Sequence, residues 1–195
     1  MKTIKTKLNS KFTFLLCFFI STTCMSQETN STARKNDASV EMAEGMNVFL
    51  QARPSTDFQV LGDVKKTGLV WSGKPKEMYR IILRRAKKDY PQADGIIFED
   101  IDMDHATVIK SKNENNKSNK CTVEMAEGMF VFLQSRPESS YQTLGTVKKT
   151  GLVWSGKPKE MYRIILRRAK KDYPEADGII FEDIDMDHAT VIKFK

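Results

Sequence analysis

The sequence predicts an α+β protein made of two tandem ββαββ modules, each an antiparallel sheet with one helix on one face. Three observations carry this expectation. Val40 to Lys110 repeats as Val123 to Lys193 without a gap, at a shift of 83 residues. Within each copy, short β-branched and aromatic runs alternate with turn residues. Each copy also holds one amphipathic stretch of helical period.

Nine pairs differ between the copies: Asn47/Phe130, Ala52/Ser135, Ser55/Glu138, Thr56/Ser139, Asp57/Ser140, Phe58/Tyr141, Val60/Thr143, Asp63/Thr146 and Gln92/Glu175. Six of the nine lie between Ser55 and Asp63, so the loop after Arg53-Pro54 and the start of the next strand tolerate change. One fold is expected for both copies. The layout that follows is a signal peptide over 1–26, a flexible linker over 27–39, repeat 1 over 40–110, a second linker over 111–121 and repeat 2 over 122–195. The linkers are polar and lack apolar periodicity, so they bury too little surface to offset the entropy of ordering them.

Along one module, Met46 to Gln51 is apolar and β-branched enough for a first strand, and Arg53-Pro54 turns the chain. Phe58 to Val64 alternates as a second strand, with Phe58, Val60, Gly62 and Val64 on one face. Lys65 to Thr67 turns the chain again before Gly68 to Trp71. Pro75 suits the first turn of a helix, where its missing N–H costs nothing. Met78, Tyr79, Ile82, Leu83, Ala86 and Tyr90 fill one arc of that helix, with Arg80, Arg84, Lys87 and Lys88 beside it; Pro91 ends it. Ile81 falls off the apolar arc and points to a second contact, such as the neighbouring copy. Ala93-Asp94-Gly95 leads into Ile96 to Ile101 as a central strand, Asp102 to His105 as a hairpin turn, and Ala106 to Lys110 as the last strand.

One helix covers one face of such a sheet. A domain of about 70 residues without a disulfide is also near the lower limit of independent stability. The bare face therefore calls for a partner, either through intrachain pairing of the two repeats or in a homo-oligomer.

The N-terminus places Lys2, Lys5, Lys7 and Lys11 before an apolar run from Phe12 to Ile20 and then small polar residues, the layout of a secretory signal peptide. The expected cut lies between Ser26 and Gln27, and the expected location is exported, periplasmic or secreted. Cys24 offers an alternative, a lipid anchor on that cysteine. No segment of the mature chain approaches the length of a transmembrane helix. The leader takes four of the 32 Lys and Arg and none of the 25 Asp and Glu, so the mature chain carries 28 against 25. That small excess argues against nucleic acid as a partner. Cys121 is the one cysteine beyond the leader, which excludes an intrachain disulfide and leaves a free thiol or an intermolecular bridge.

Phe58-x-x-Leu61-Gly62-x-Val64, Leu83-Arg84-x-Ala86 and Ala93-Asp94-Gly95-Ile96-Ile97 form a series that recurs in the second copy as Tyr141, Leu144, Gly145, Val147, Leu166, Arg167, Ala169, Ala176, Asp177 and Gly178. It resembles the YbjQ-like family of small bacterial α+β domains, over about two thirds of each module. The resemblance implies that fold, a tendency to oligomerise and the heavy-metal binding ascribed to the family. The chain departs from the family pattern at Tyr90-Pro91-Gln92, and each copy lacks the Cys and His cluster a soft metal needs.

Four features are candidates for function. Gly68 to Pro75, repeated as Gly151 to Pro158, comes within one residue of a phosphate-binding loop, but Pro stands where Ser or Thr would ligate magnesium. The acidic turn Asp100, Asp102, Asp104 and His105, with Asp183, Asp185, Asp187 and His188, has the oxygens a divalent cation requires. The helical stripe Arg80, Arg84, Lys87 and Lys88, with Arg163, Arg167, Lys170 and Lys171, could meet an anionic partner or remain a solvated face. Trp71 and Trp154 would stack a sugar or fill the core. No nucleophile and base pair is legible, so no catalytic residue is assigned.

The expected function is a non-enzymatic binding or interaction module of the cell envelope or secreted fraction, with an envelope protein or glycan as partner and no cofactor. The alternatives are a divalent-cation binder using the two acidic turns and a hydrolase of unknown substrate.

Overall fold

The computed structural model describes residues 34–67, 75–112, 118–149 and 158–195, a mixed α+β fold of mostly strands. Trp71, Trp154, the two glycine-rich loops, Cys24 and the Ser26/Gln27 cut lie outside the described residues. The first copy runs β1 (Asp37–Val40), β2 (Met42–Ala43), β3 (Met46–Leu50), β4 (Ala52–Pro54), β5 (Phe58–Lys65), α1 (Pro75–Asp89), β6 (Gly95–Phe98) and β7 (His105–Ser111). The second runs β8 (Lys120–Val123), β9 (Met125–Ala126), β10 (Met129–Leu133), β11 (Ser135–Pro137), β12 (Tyr141–Lys148), α2 (Pro158–Asp172), β13 (Gly178–Phe181) and β14 (His188–Phe194). No described helix is long and apolar enough to cross a membrane.

Each copy builds a five-stranded sheet, in the order β2-β3-β6-β7-β5 and, for its counterpart, β9-β10-β13-β14-β12. The sheets are mixed, not antiparallel as expected, because β3 pairs parallel with β6 and β10 with β13. A parallel pair needs a crossover, and here the chain passes through β4, the far edge β5 and α1 before returning in β6. All four residues of β6 are buried, as befits a strand flanked on both sides. That strand stops at Phe98, short of the expected Ile101, which is buried within the turn that follows. Glu44 and Gly45 both take positive φ (52° and 79°) to close the two-residue hairpin β2–β3, a turn for which glycine is suited.

Helix α1 begins at Pro75, carries Glu77 in its first turn and ends on Lys87 and Lys88, charges that complement the helix dipole. Met78, Tyr79, Ile82, Leu83 and Ala86 pack on one face of the sheet, against Val48, Leu50, Ile96, Phe98 and Val108. Tyr79 and Phe98 lie with ring centroids 5.7 Å apart. Ile81 is 51 % exposed, so the second contact expected of it is not made among the described residues.

The alternate residues Phe49, Ile97 and Ile109 face the other way, into a second core with Ala38, Val40 and Ala52. Cys121, Val123, Phe132, Ile180, Ile192 and Phe194 of the other copy complete that core. Its roof is a four-stranded sheet in the order β11-β1-β8-β4, whose strands alternate between copies. The registers are reciprocal. Ala38 faces Pro137 as Cys121 faces Pro54, and β1 and β8 meet with Ala38 opposite Cys121. The repeat shift of 83 carries residue 38 onto 121, so this central pair lies on a local twofold axis. Matching backbone bonds run from Glu41 N to Gln134 O (3.0 Å) and from Glu124 N to Gln51 O (3.3 Å). Gln51 and Gln134 are left-handed, with φ of 54° and 52°, and this single kinked residue lets the chain leave an outer sheet and enter the shared one.

Three expectations are corrected by this sheet. Arg53-Pro54 is strand, not turn, and the prolines sit on its two edge strands, where no ladder N–H is required. Asp37–Val40 is a strand although residues 37–39 read as linker. Ser111 closes β7 while Lys120 and Cys121 open β8, so the segment between strands is shorter than 111–121. For β1, β4 and β8 the pairing that orders a short polar stretch is supplied by the other copy, whereas Ser111 pairs with Phe58 of its own copy. Cys121 is buried at 1 % exposure, which places its thiol out of reach of an intermolecular bridge. All described elements belong to one compact unit, Thr32–Lys195.

Candidate functional site

The acidic turn between β6 and β7 is held from below. Met103, left-handed at φ 52°, and Ile101 bury their side chains in the helix-side core, leaving Asp102 half-buried and Asp104 exposed. Asp100 caps the turn internally: its Oδ1 accepts from Ile101 N at 2.8 Å and its backbone oxygen from Met103 N at 3.1 Å. The turn then delivers His105 as the first residue of β7, opposite Lys65 at the end of β5. Lys66 N donates to Asp104 O at 2.7 Å and ties the two strand ends together.

These four residues, Lys65, Lys66, Asp104 and His105, line an open cleft of about 450 Å3. Lys148, Lys149, Asp187 and His188 line its counterpart, of about 350 Å3. Each cleft is braced by an arginine of the helix. Arg85 Nη1 donates to Lys65 O at 3.0 Å and to Thr67 Oγ1 at 2.6 Å, while its Nε lies 3.4 Å from Asp89. Arg168 repeats the bonds to Lys148 O and Asp172, at 3.0 and 3.4 Å.

The clefts differ in what surrounds the imidazole. In the first, Asp63 Oδ1 accepts from Thr107 Oγ1 at 3.0 Å and stands 3.5 Å from His105 Nε2, without the alignment of a hydrogen bond. Thr146 replaces Asp63 in the second copy, and there His188 Nδ1 lies 2.7 Å from Asp187 Oδ1. Thr190, the counterpart of Thr107, donates instead to Glu182 at 3.4 Å, and Glu182 lies 3.7 Å from Arg136.

The residues singled out from the sequence are only partly brought together. Asp104 and His105, with Asp187 and His188, reach the clefts; Asp100, Asp102, Asp183 and Asp185 do not line them. Asp100 Oδ2 lies 3.8 Å from Lys159 Nζ of the second copy, an exposed pair. Among the described residues, no three His, Cys, Asp or Glu side chains are grouped to hold a metal ion. Arg80, Arg84, Lys87 and Lys88 are exposed on α1, as are Arg163, Arg167, Lys170 and Lys171 on α2, and none of them lines a cleft. Lys87 Nζ donates to Glu44 O at 2.8 Å, fastening the helix end to the β2–β3 hairpin.

Sequence reading missed Lys65, Lys66 and Arg85. The spacing of Arg85 and Asp89, one helical turn apart, was the one available signal. The buried titratable groups are poor nucleophiles. Burial, then Glu138 and Asp37, pushes the Cys121 thiol up to about 12, so the reactive thiolate is absent near neutral pH. Burial likewise pushes the Tyr79 and Tyr162 hydroxyls up to about 12, with smaller contributions from Glu41 and Glu44 and from Glu124 and Glu127. Comparison of the chain with protein families, with characterised proteins and with solved structures gives no match.

Proposed function

We propose that the chain is an exported, non-enzymatic binding module of the cell envelope or secreted fraction, and that it takes its ligand in the two clefts. One observation carries the reading: in both copies the ends of two paired strands bring the same two lysines, aspartate and histidine to one rim. Each such set offers cationic donors, a carboxylate acceptor and an imidazole to a small polar ligand or to a polar group of a larger one. Each copy keeps a ββαββ core, β3-β5-α1-β6-β7, to which the short strands of the shared sheet are added. Apart from the exposed Arg84 and Arg167, the residues that carry the YbjQ-like resemblance are mostly packing and turn residues, and they support that core. Gly62, for instance, lies where a Cβ would run into the Tyr90 hydroxyl, and Gly145 stands in the same relation to Tyr173.

The test is backbone chemical-shift mapping of the mature chain against anionic, cationic and saccharide ligands. Saturable shifts at Lys65, Lys66, Asp104 and His105 and at their counterparts are expected for one class. Shifts confined to other surfaces for every class would overturn the reading. A divalent cation is the second reading, favoured by the contact of His188 with Asp187. Calorimetric titration with Ca²⁺, Mn²⁺, Zn²⁺ and Cu²⁺ tests it, using a variant with Asp102, Asp104, Asp185 and Asp187 changed to Asn as control. No heat in the parent removes the cation.

A further inference from the structure

The small positive excess of the mature chain is unevenly spread. Helices α1 and α2 together hold 12 of its 28 Lys and Arg and 4 of its 25 Asp and Glu, so the remainder carries 16 against 21. The helices are cationic layers on a chain that is otherwise acidic. Each lies on the side of its own sheet away from the shared core. On α1, Arg85 takes Asp89, and Lys87 is tied to the β2–β3 hairpin. Arg80, Arg84 and Lys88 remain as an exposed row, each one turn from the next, with Glu77 in the first turn as the acid on that side. None of the three has a hydrogen bond or ion pair among the described residues. Like charges at this spacing repel, so the row does not serve the helix itself. Ile81 lies one turn before Arg84 on the same side and is 51 % exposed. Arg163, Arg167, Lys171 and the exposed Ile164 repeat the arrangement on α2.

An unpaired cationic row calls for an anionic partner, and the isoleucine decides between kinds. A polyanion in water offers nothing to an exposed aliphatic side chain. The surface of an anionic bilayer accepts both groups, the cations among its headgroups and the apolar carbon just beneath them. We propose that the outer faces of α1 and α2 are docking surfaces for a membrane rich in anionic phospholipid. Arg80, Arg84 and Lys88, with Arg163, Arg167 and Lys171, meet the headgroups, and Ile81 and Ile164 enter between them. The docking face is the one turned away from the core, so each helix stays packed on its sheet and the attachment is peripheral. This surface is separate from the clefts and stands or falls independently of them.

The experiment sediments the full mature chain with vesicles of phosphatidylcholine, with and without phosphatidylglycerol. Binding is expected only where phosphatidylglycerol is present, and it should weaken as salt is raised. Changing Arg80, Arg84, Lys88, Arg163, Arg167 and Lys171 together to Gln should weaken it by roughly a hundredfold, since each Lys or Arg at an anionic surface contributes about fivefold. These side chains are exposed and unpaired, so the urea midpoint should hold in the same variant. Ile81→Ser with Ile164→Ser should cost roughly threefold on vesicles and leave binding to soluble dextran sulfate unchanged. Equal binding to phosphatidylcholine alone, or vesicle binding indifferent to the six substitutions, overturns the proposal. A chain that takes dextran sulfate but not vesicles also overturns it and assigns a soluble polyanion. Loss of vesicle binding on Lys65→Gln with Lys148→Gln, the helix variant being unaffected, would move the lipid to the clefts and overturn the helix surface alone.

Discussion

The outer sheets and the shared sheet are built in opposite ways. Each outer sheet is assembled from strands of one copy, the longest of eight residues, and is backed by that copy's own helix. The shared sheet has strands of three and four residues, and each of its ladders joins one copy to the other. Local pattern is enough to make the first kind. The second kind exists only where both copies are present, so the cohesion of the whole unit lies in its shortest strands.

Breaking the shared sheet at its axis should have the largest effect. Ala38 is fully buried opposite Cys121, and Ala38→Asp would place a carboxylate there without a cationic partner. A loss of about 5 kcal/mol is expected, read as a lowered midpoint in urea unfolding. Next come the outer sheets. Phe98→Ala and Phe181→Ala should each cost about 4 kcal/mol. If the shared sheet couples the copies, each variant should still unfold in a single transition, by helical signal and by tyrosine fluorescence alike. Two separated transitions would show that the copies are independent.

Alkali offers a smaller and more selective probe. Burial pushes Cys121, Tyr79 and Tyr162 up to about 12, above the ordinary values of 9.0 for the thiol and 10.0 for the hydroxyls. The native state therefore keeps protons that the unfolded chain releases. Stability should hold up to about pH 9 and fall as pH rises towards 12, with the thiol of the shared sheet responding first. Cys121→Ala should remove the earliest part of that fall, by about 1 kcal/mol at pH 10, measured by urea unfolding across the pH series. The smallest effect is expected at the rim of the shared sheet. Arg53 reaches Glu124 at 3.8 Å, and Arg136 reaches Glu41 at 4.0 Å, through exposed side chains. Replacing both arginines with Ala should change stability by about 1 kcal/mol or less, as denaturation at low and high salt would show.

The same division decides how much could be read from the sequence. Helix α1, strand β3 and most of β7 were legible from their apolar spacing; β5 was legible in extent but not in facing, because a bulge between Val60 and Gly62 leaves Val60 exposed and sends Phe58 and Val64 to different cores. Strands β1 and β8 were not. Asp-Ala-Ser-Val and Lys-Cys-Thr-Val do alternate, but they are embedded in Asn, Lys and Ser, and their buried positions gain meaning only against the other copy. Arg53-Pro54 looked like a turn because proline usually marks one, whereas an edge strand accommodates it equally well. The parallel pairing of β3 with β6 leaves no local trace, since it depends on where α1 returns the chain. At the site, Asp104 and His105 stood out as an acidic turn. Lys65 and Lys66 join them through the register of β5 with β7, which no spacing along the chain reveals.

The pairing of Ala38 with Cys121 has a consequence for how such a molecule can change. A position on a twofold axis meets its own counterpart, so in a dimer of separate identical chains the two sides must carry the same side chain. Joining the copies covalently removes that constraint, and here a methyl group faces a thiol across the axis. The freedom extends to every pair of equivalent positions, including those within each copy such as Asp63 and Thr146. A fused pair can hold one half steady while the other acquires a new preference.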